Sequence, residues 1–202
     1  MSTPDERRAI KARAPKTRLF DAHTHDCRVV PDREALLERL PRGGVVAEIG
    51  VAFGDFSREI LKRNKPARLH LIDLWDSKRY GEGLARIEKE FAAPIEAGSV
   101  AIHRGLSTAI LPKFEDNSFD WVYIDTDHSY ATTAKELRIC HTKVKPGGMI
   151  LGHDYCNGNV ITPWPYGVIE ACHEFCVEYG WKYAYLTLEA HGHLSFALAR
   201  QN

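Results

Sequence analysis

Several protein classes require features that this chain lacks. None of its apolar runs approaches the ~20 residues needed to cross a bilayer, so no membrane partner is expected. Its 27 Lys and Arg are matched by 27 Asp and Glu, leaving no surplus charge to draw nucleic acid, which is not an expected partner either. The five cysteines (27, 140, 156, 172 and 176) are odd in number and widely spread, which argues for reduced thiols in a cytoplasmic protein rather than a disulfide framework. Cys172 and Cys176, one helical turn apart, read as small core-facing residues of one helix stripe. The stretch from Met1 to Arg18 is basic but has no apolar centre, so it is not a secretory signal. Internal repeats and low-complexity segments are also missing.

What remains is a 202-residue chain with 44% hydrophobic residues, suited to a single α/β domain. Residues 1–31 read as an N-terminal arm and 32–202 as the domain. Asp32 is a plausible N-cap for a helix to Leu40, and Arg42-Gly43-Gly44 ends it. Strands are predicted from Val45, over Leu69 to Ile72, Val100 to His103, Phe119 to Ile124 and Met149 to Leu151. Helices are predicted over Asp55 to Arg63, Gly83 to Phe91, Leu106 to Leu111, Thr133 to Val144 and Tyr166 to Tyr179. Two final strands, Lys182 to Leu188 and Leu194 to Ala199, flank the turn at Glu189 to His193. The alternation fits a doubly wound, mostly parallel sheet closed by an antiparallel hairpin.

The stretch Val45 to Gly54 is an apolar strand running into a glycine-bearing turn, and Asp73 ends the next strand. A dinucleotide fingerprint would place glycines at 50, 52 and 55. Those positions hold Gly50, Ala52 and Asp55, so only the first matches. Glu48, two residues before Gly50, would repel a pyrophosphate and suits a ligand carrying an ammonium group, such as the methionine part of S-adenosylmethionine. Gly50 and Gly54 allow close backbone approach, and Asp73, beside Leu74, is placed to accept from ribose hydroxyls. On these residues the chain resembles a class I methyltransferase. That resemblance implies a Rossmann-like methyltransferase fold with a seven-stranded sheet, S-adenosylmethionine as cofactor, and Ser107 in the Gly105-Leu106-Ser107 turn beside the adenine.

The strands ending at Ile124 and Leu151 both emit charge, as Asp125-Thr126-Asp127-His128-Ser129-Tyr130 and Gly152-His153-Asp154-Tyr155. This pair resembles a small-molecule O-methyltransferase-like branch that includes macrolide-sugar methyltransferases and cephalosporin-hydroxylase-type proteins. The branch implies a divalent cation facing Asp125, His153 and Asp154. An imidazole there suits a softer ion than Mg²⁺; otherwise no metal is used and a histidine is the base. His128 and His153 are the candidate general bases, with Asp125 beside the reacting methyl. Tyr155, Trp164 and Tyr166 offer flat surfaces for a ring-shaped acceptor.

The expected activity is methyl transfer to a small molecule, most readily at a hydroxyl, by an enzyme expected as a homodimer. A nitrogen acceptor, iron-dependent hydroxylase-like chemistry and a non-catalytic role stay open. Asp21-Ala22-His23-Thr24-His25 has the His-x-His form of metal-dependent amidohydrolases. There it ends the first strand of a barrel that needs about 250 residues, more than this chain has.

Overall fold

Short apolar runs separated by turns can bury both faces only as strands covered by helices on each side. The computed structural model, which describes residues 2–201, has that arrangement. Strands β1 (Arg28–Val30), β2 (Val45–Ile49), β3 (Arg68–Asp73), β4 (Val100–Arg104), β5 (Phe119–Ile124) and β6 (Val144–Gly152) lie in one sheet. β7 (Gly158–Asn159) and β8 (Trp164–Pro165) form a separate small hairpin, and β9 (Trp181–Thr187) and β10 (Phe196–Arg200) complete the main sheet. The sheet has eight strands in the order β1-β9-β10-β6-β5-β2-β3-β4. β10 runs antiparallel to both its neighbours, and the other pairings are parallel.

The helices are α1 (Pro4–Arg13), α2 (Arg33–Leu37), α3 (Asp55–Glu59), α4 (Gly83–Glu90), α5 (Ala92–Glu96), α6 (Ser107–Ile110), α7 (Tyr130–Lys143) and α8 (Val168–Tyr179). Asp32 does cap α2, accepting from the Ala35 amide at 2.7 Å. The alternation of side chains along β5 shows how the two layers arise. Trp121 and Tyr123 enter one layer with Leu36, Leu37, Phe56 and Ile87, while Val122 and Ile124 enter the other with Leu137, Cys172 and Phe175. Cys172 and Cys176 are fully buried in that second layer.

Two expectations are corrected. The sheet has eight strands rather than seven, because Arg28–Val30 pairs with β9 instead of belonging to a free arm. Three residues are too few for an alternating pattern to register, and only Val30 of the three is buried. The arm itself is tied down: α1 carries a Thr3 capping box, and Lys11 donates to the Tyr166 carbonyl at 2.9 Å and pairs with Glu170. It therefore lies against the loop between β6 and α8.

Chain order reverses between β2 and β5, which are neighbours in the sheet although β3 and β4 intervene in sequence. Ligands bind at such a switch point, outside the carboxyl ends of the strands. Here the Asp125 amide donates to Ile49 O at 2.7 Å, and a Cβ on Gly50 would stand 1.9 Å from Asp125 O. Gly50 also has a φ of 86°, where side chains are strained. Gly50→Ala is expected to destabilise the fold by at least about 2 kcal/mol, read as a lowered urea midpoint. A wild-type midpoint would show that β2 and β5 can part at this point.

Candidate active site

The turn after β2 is built by one carboxylate. Asp73 Oδ2 accepts from the amides of Val51 (2.7 Å) and Ala52 (2.9 Å), while Oδ1 accepts from Trp75 (3.0 Å). These bonds hold Ala52 at a positive φ of 51°. With three N–H groups already bound, Asp73 keeps room for a further donor on Oδ1 alone. Its first task is thus to shape the turn. Gly54 caps α3, a Cβ added to it would meet Ile87 and Phe91, and it is not among the residues lining the cavity beyond the turn, which corrects its expected place against a ligand.

Past this turn opens a cavity of about 710 Å³, within the range of small-molecule sites. Its lining includes the sequence-predicted Glu48, Gly50, Asp73, Leu74, Ser107 and Asp125, together with His128. Five acids (Glu48, Asp55, Asp73, Asp125 and Asp127) face two bases, Arg33 and Lys135. Glu48 is 2% exposed and accepts a hydrogen bond from Ser57. Burial pushes its pKa up to about 8, with Asp125 and Asp73 adding repulsion against the opposing effects of Ser57 and Arg33. The Asp125 carboxyl is raised for the same reasons, burial first and then Asp154 and Asp73, although Arg33 approaches to 4.0 Å. A cationic ligand would relieve this excess of like charge.

Behind the floor sits Glu136, which the sequence reading did not single out. It is fully buried in α7 and accepts from Ser107 Oγ at 2.5 Å and Thr126 Oγ1 at 2.9 Å, bracing the turns after β4 and β5. Burial pushes its pKa up to about 7. The signal was present: Thr133, Glu136, Leu137 and Cys140 form one buried stripe of α7, in which an acid has no apolar reason to stand.

At the rim, His128 Nε2 lies 3.1 Å from Asp154 Oδ2, and its Nδ1 lies 4.0 Å from Asp125 Oδ1. The Tyr166 ring centres 4.7 Å from the His128 ring, and burial lowers the imidazole pKa. Asp125, His128 and Asp154 thus converge. His153 does not join them, which corrects its expected roles as metal ligand and base. Its Nδ1 shares a 3.0 Å hydrogen bond with Ser195 instead, and burial pushes its pKa down to about 4. The divalent-cation set of Asp125, His153 and Asp154 therefore does not fit the structure.

Tyr155 is likewise directed away from the cavity. Its hydroxyl donates to His173 Nε2 at 2.9 Å, and its ring packs on Tyr183 and Phe196. Trp164 is 47% exposed and borders α1 instead. Of the three expected acceptor contacts, only Tyr166 reaches the His128 cluster. His23 and His25 do not line the cavity: His23 accepts from the Phe20 amide at 3.0 Å, and His25 lies 3.2 Å from Asp26.

Residues 47–155, just over half the chain, match the family model described as a methyltransferase domain. The chain belongs to that family. Solved structures show the same fold. The pyocyanin biosynthetic protein PhzM is 15% identical with a TM-score of 0.58 over 83% of this chain, which spans 54% of the PhzM chain. A SAM-dependent methyltransferase from Methanosarcina mazei is 11% identical with a TM-score of 0.61, covering 85% of this chain and 99% of that one. An O-methyltransferase family protein from Burkholderia thailandensis is 13% identical with a TM-score of 0.61, covering 84% and 55% respectively. No curated protein matches this methyltransferase.

S-adenosylmethionine carries a sulfonium and an ammonium group, and the acid-rich cavity with its buried Glu48 fits such a ligand. The Glu136 brace carries its own pH signature. Folded, Glu136 keeps its proton up to about pH 7; unfolded, it ionises near 4.5. The folded chain binds more protons between those values, so this contribution is full below pH 4.5 and is lost as pH rises through 7. Glu136→Gln is expected to gain roughly 1–3 kcal/mol over wild type between about pH 5 and about pH 8. Urea unfolding at both pH values checks this, and parallel curves would place the titration elsewhere.

Proposed function

We propose that this methyltransferase moves the methyl group of S-adenosylmethionine to a hydroxyl of a small molecule, with His128 as general base. The observation that carries this reading is the His128 imidazole. It stands on the cavity wall with its Nε2 on Asp154, beside the acid-lined floor. The cofactor supplies a methyl group on a positively charged sulfur, open to attack from the opposite side. Glu48 and Asp125 favour that positive charge, and the turn held by Asp73 gives the backbone room beside it.

An alcohol is a weak nucleophile until it gives up its proton. With Nε2–H donating to Asp154, His128 presents an unprotonated Nδ1 toward the cavity, and that atom can take the hydroxyl proton. Asp154 fixes the tautomer and ring orientation, and the Tyr166 ring limits how far the imidazole can swing. Holding the acceptor in line with the methyl group can contribute ~7–11 kcal/mol. An acceptor of metabolite size is favoured by the cavity volume and by the balanced charge of the chain, which offers little to a polyanionic nucleic acid.

Two measurements test these roles. S-adenosylmethionine should bind more tightly relative to S-adenosylhomocysteine as pH rises through about 8, because Glu48 ionises there and favours the cation. Calorimetric titration should show that ratio growing several-fold in wild type and staying flat in Glu48→Gln; a flat wild-type ratio would mean that Glu48 does not act on the sulfonium charge. Radiolabelled methyl transfer can be assayed on a panel of phenols, sugars and amines. His128→Asn should lower the rate on hydroxyls by about 10²–10⁴-fold while leaving cofactor affinity near wild type. Transfer confined to amines, or indifferent to His128, would overturn the assignment.

A further inference from the structure

Asp154 serves a second cluster through its other carboxylate oxygen. Its φ of 57° and a tight turn, closed by the Cys156 amide donating to Asp154 O at 2.7 Å, bring two side chains of a residue-skipping pair together. From the turn between β9 and β10, His193 directs its Nδ1 at both. That nitrogen contacts Asp154 Oδ1 and lies 3.8 Å from Cys156 Sγ. One donor atom from each of Asp154, Cys156 and His193 falls within 4.8 Å of the other two.

We propose that Asp154, Cys156 and His193 bind a thiophilic transition-metal ion of the zinc class, with a fourth position left for water. An Asp–His hydrogen bond explains two of the three atoms, and the Cys156 thiol donates to Gly158 O at 3.7 Å, which occupies its proton and leaves the sulfur lone pairs beside the imidazole. Carboxylate oxygen, imidazole nitrogen and thiolate sulfur are the donors that tetrahedral zinc takes, and thiolate selects against Mg²⁺ and Ca²⁺. Zinc bond lengths to S and N at a tetrahedral angle put those two atoms ~3.6 Å apart, close to the observed 3.8 Å, while Asp154 and His193, now in direct hydrogen-bond contact, would draw apart to admit the ion. On binding, the Cys156 thiol releases its proton to solvent and His193 coordinates through Nδ1 as the Nε2–H tautomer.

The set uses neither Asp125 nor His153 and stands on this cluster alone, whether or not the methyl-transfer reading holds. The ion would clamp the turn before β10 to the loop after β6, and so hold the carboxylate whose other oxygen bonds His128. Asp154 is here a positioning residue for that imidazole.

Untagged full-length protein, stripped with a chelator and then titrated with Co²⁺, tests the proposal. One cobalt per chain is expected, with tetrahedral visible bands and a thiolate charge-transfer band in the near ultraviolet. Cys156→Ser should abolish the charge-transfer band and weaken Zn²⁺ competition at least tenfold, and Cys27→Ser should change neither. In wild type, Zn²⁺ should also slow alkylation of Cys156 but not of Cys27, a readout that needs no variant. Failure to bind cobalt, or binding without a band that depends on Cys156, would overturn the site. S-adenosylhomocysteine titration of the same stripped protein reports separately on the methyltransferase reading.

Discussion

The backbone of Gly50 lies against the carbonyl of Asp125 with no space for a Cβ, and this contact seats β2 and β5 side by side at the switch point. From it follow the positions of the groups that matter. The chain leaves β2 in a turn that Asp73 holds through three amides, and it leaves β5 as the segment carrying Asp125, Asp127 and His128. Were the two strands farther apart, the acids of the floor and the imidazole at the rim would not share one cavity.

The second governing fact is charge. Buried carboxyls in this domain are placed where apolar residues would pack at less cost, and two of them, Glu48 and Glu136, have hydroxyl partners rather than cations. Their uses differ. Glu136 is bonded by Ser107 and Thr126 and acts as a strut. Glu48 opens on the cavity, where burial first and then the neighbouring Asp125 and Asp73 raise its pKa, and a cationic ligand would favour its charged form. The same scarcity gives Arg33 its place near Asp125, with its guanidinium over the Phe56 ring at 4.7 Å.

The loop between β6 and α8 joins the remaining parts. It carries Asp154, Cys156 and Tyr166, and α1 lies against it through Lys11. Asp154 meets His128 with one oxygen and His193 with the other, so a single carboxylate links three segments distant in sequence. Its left-handed backbone is tolerable for Asp, and the geometry it gives is what allows both contacts.

Much of this was legible in the residues. The apolar run Phe119 to Ile124 forms β5 with those bounds, Asp32 caps its helix, and Glu48, Gly50, Leu74, Asp73, Ser107 and Asp125 all reach one cavity. These depend on local pattern and on strand ends, which alternation and turn chemistry determine. Other features were not legible. Which of His128 and His153 joins the cavity wall depends on their partners, Asp154 for one and Ser195 for the other, which come from segments far along the chain. Gly54 packs against Ile87 and Phe91, and Tyr155 against His173, Tyr183 and Phe196, neighbours supplied by other elements. The edge strand Arg28–Val30 exists because β9 offers it hydrogen bonds, and His193 meets Asp154 because β10 returns beside β6. Sequence by itself determined the strand order's local units and the chemistry at their ends; tertiary structure alone decided which side chains meet, because such contacts are formed by segments that only the closed sheet brings together.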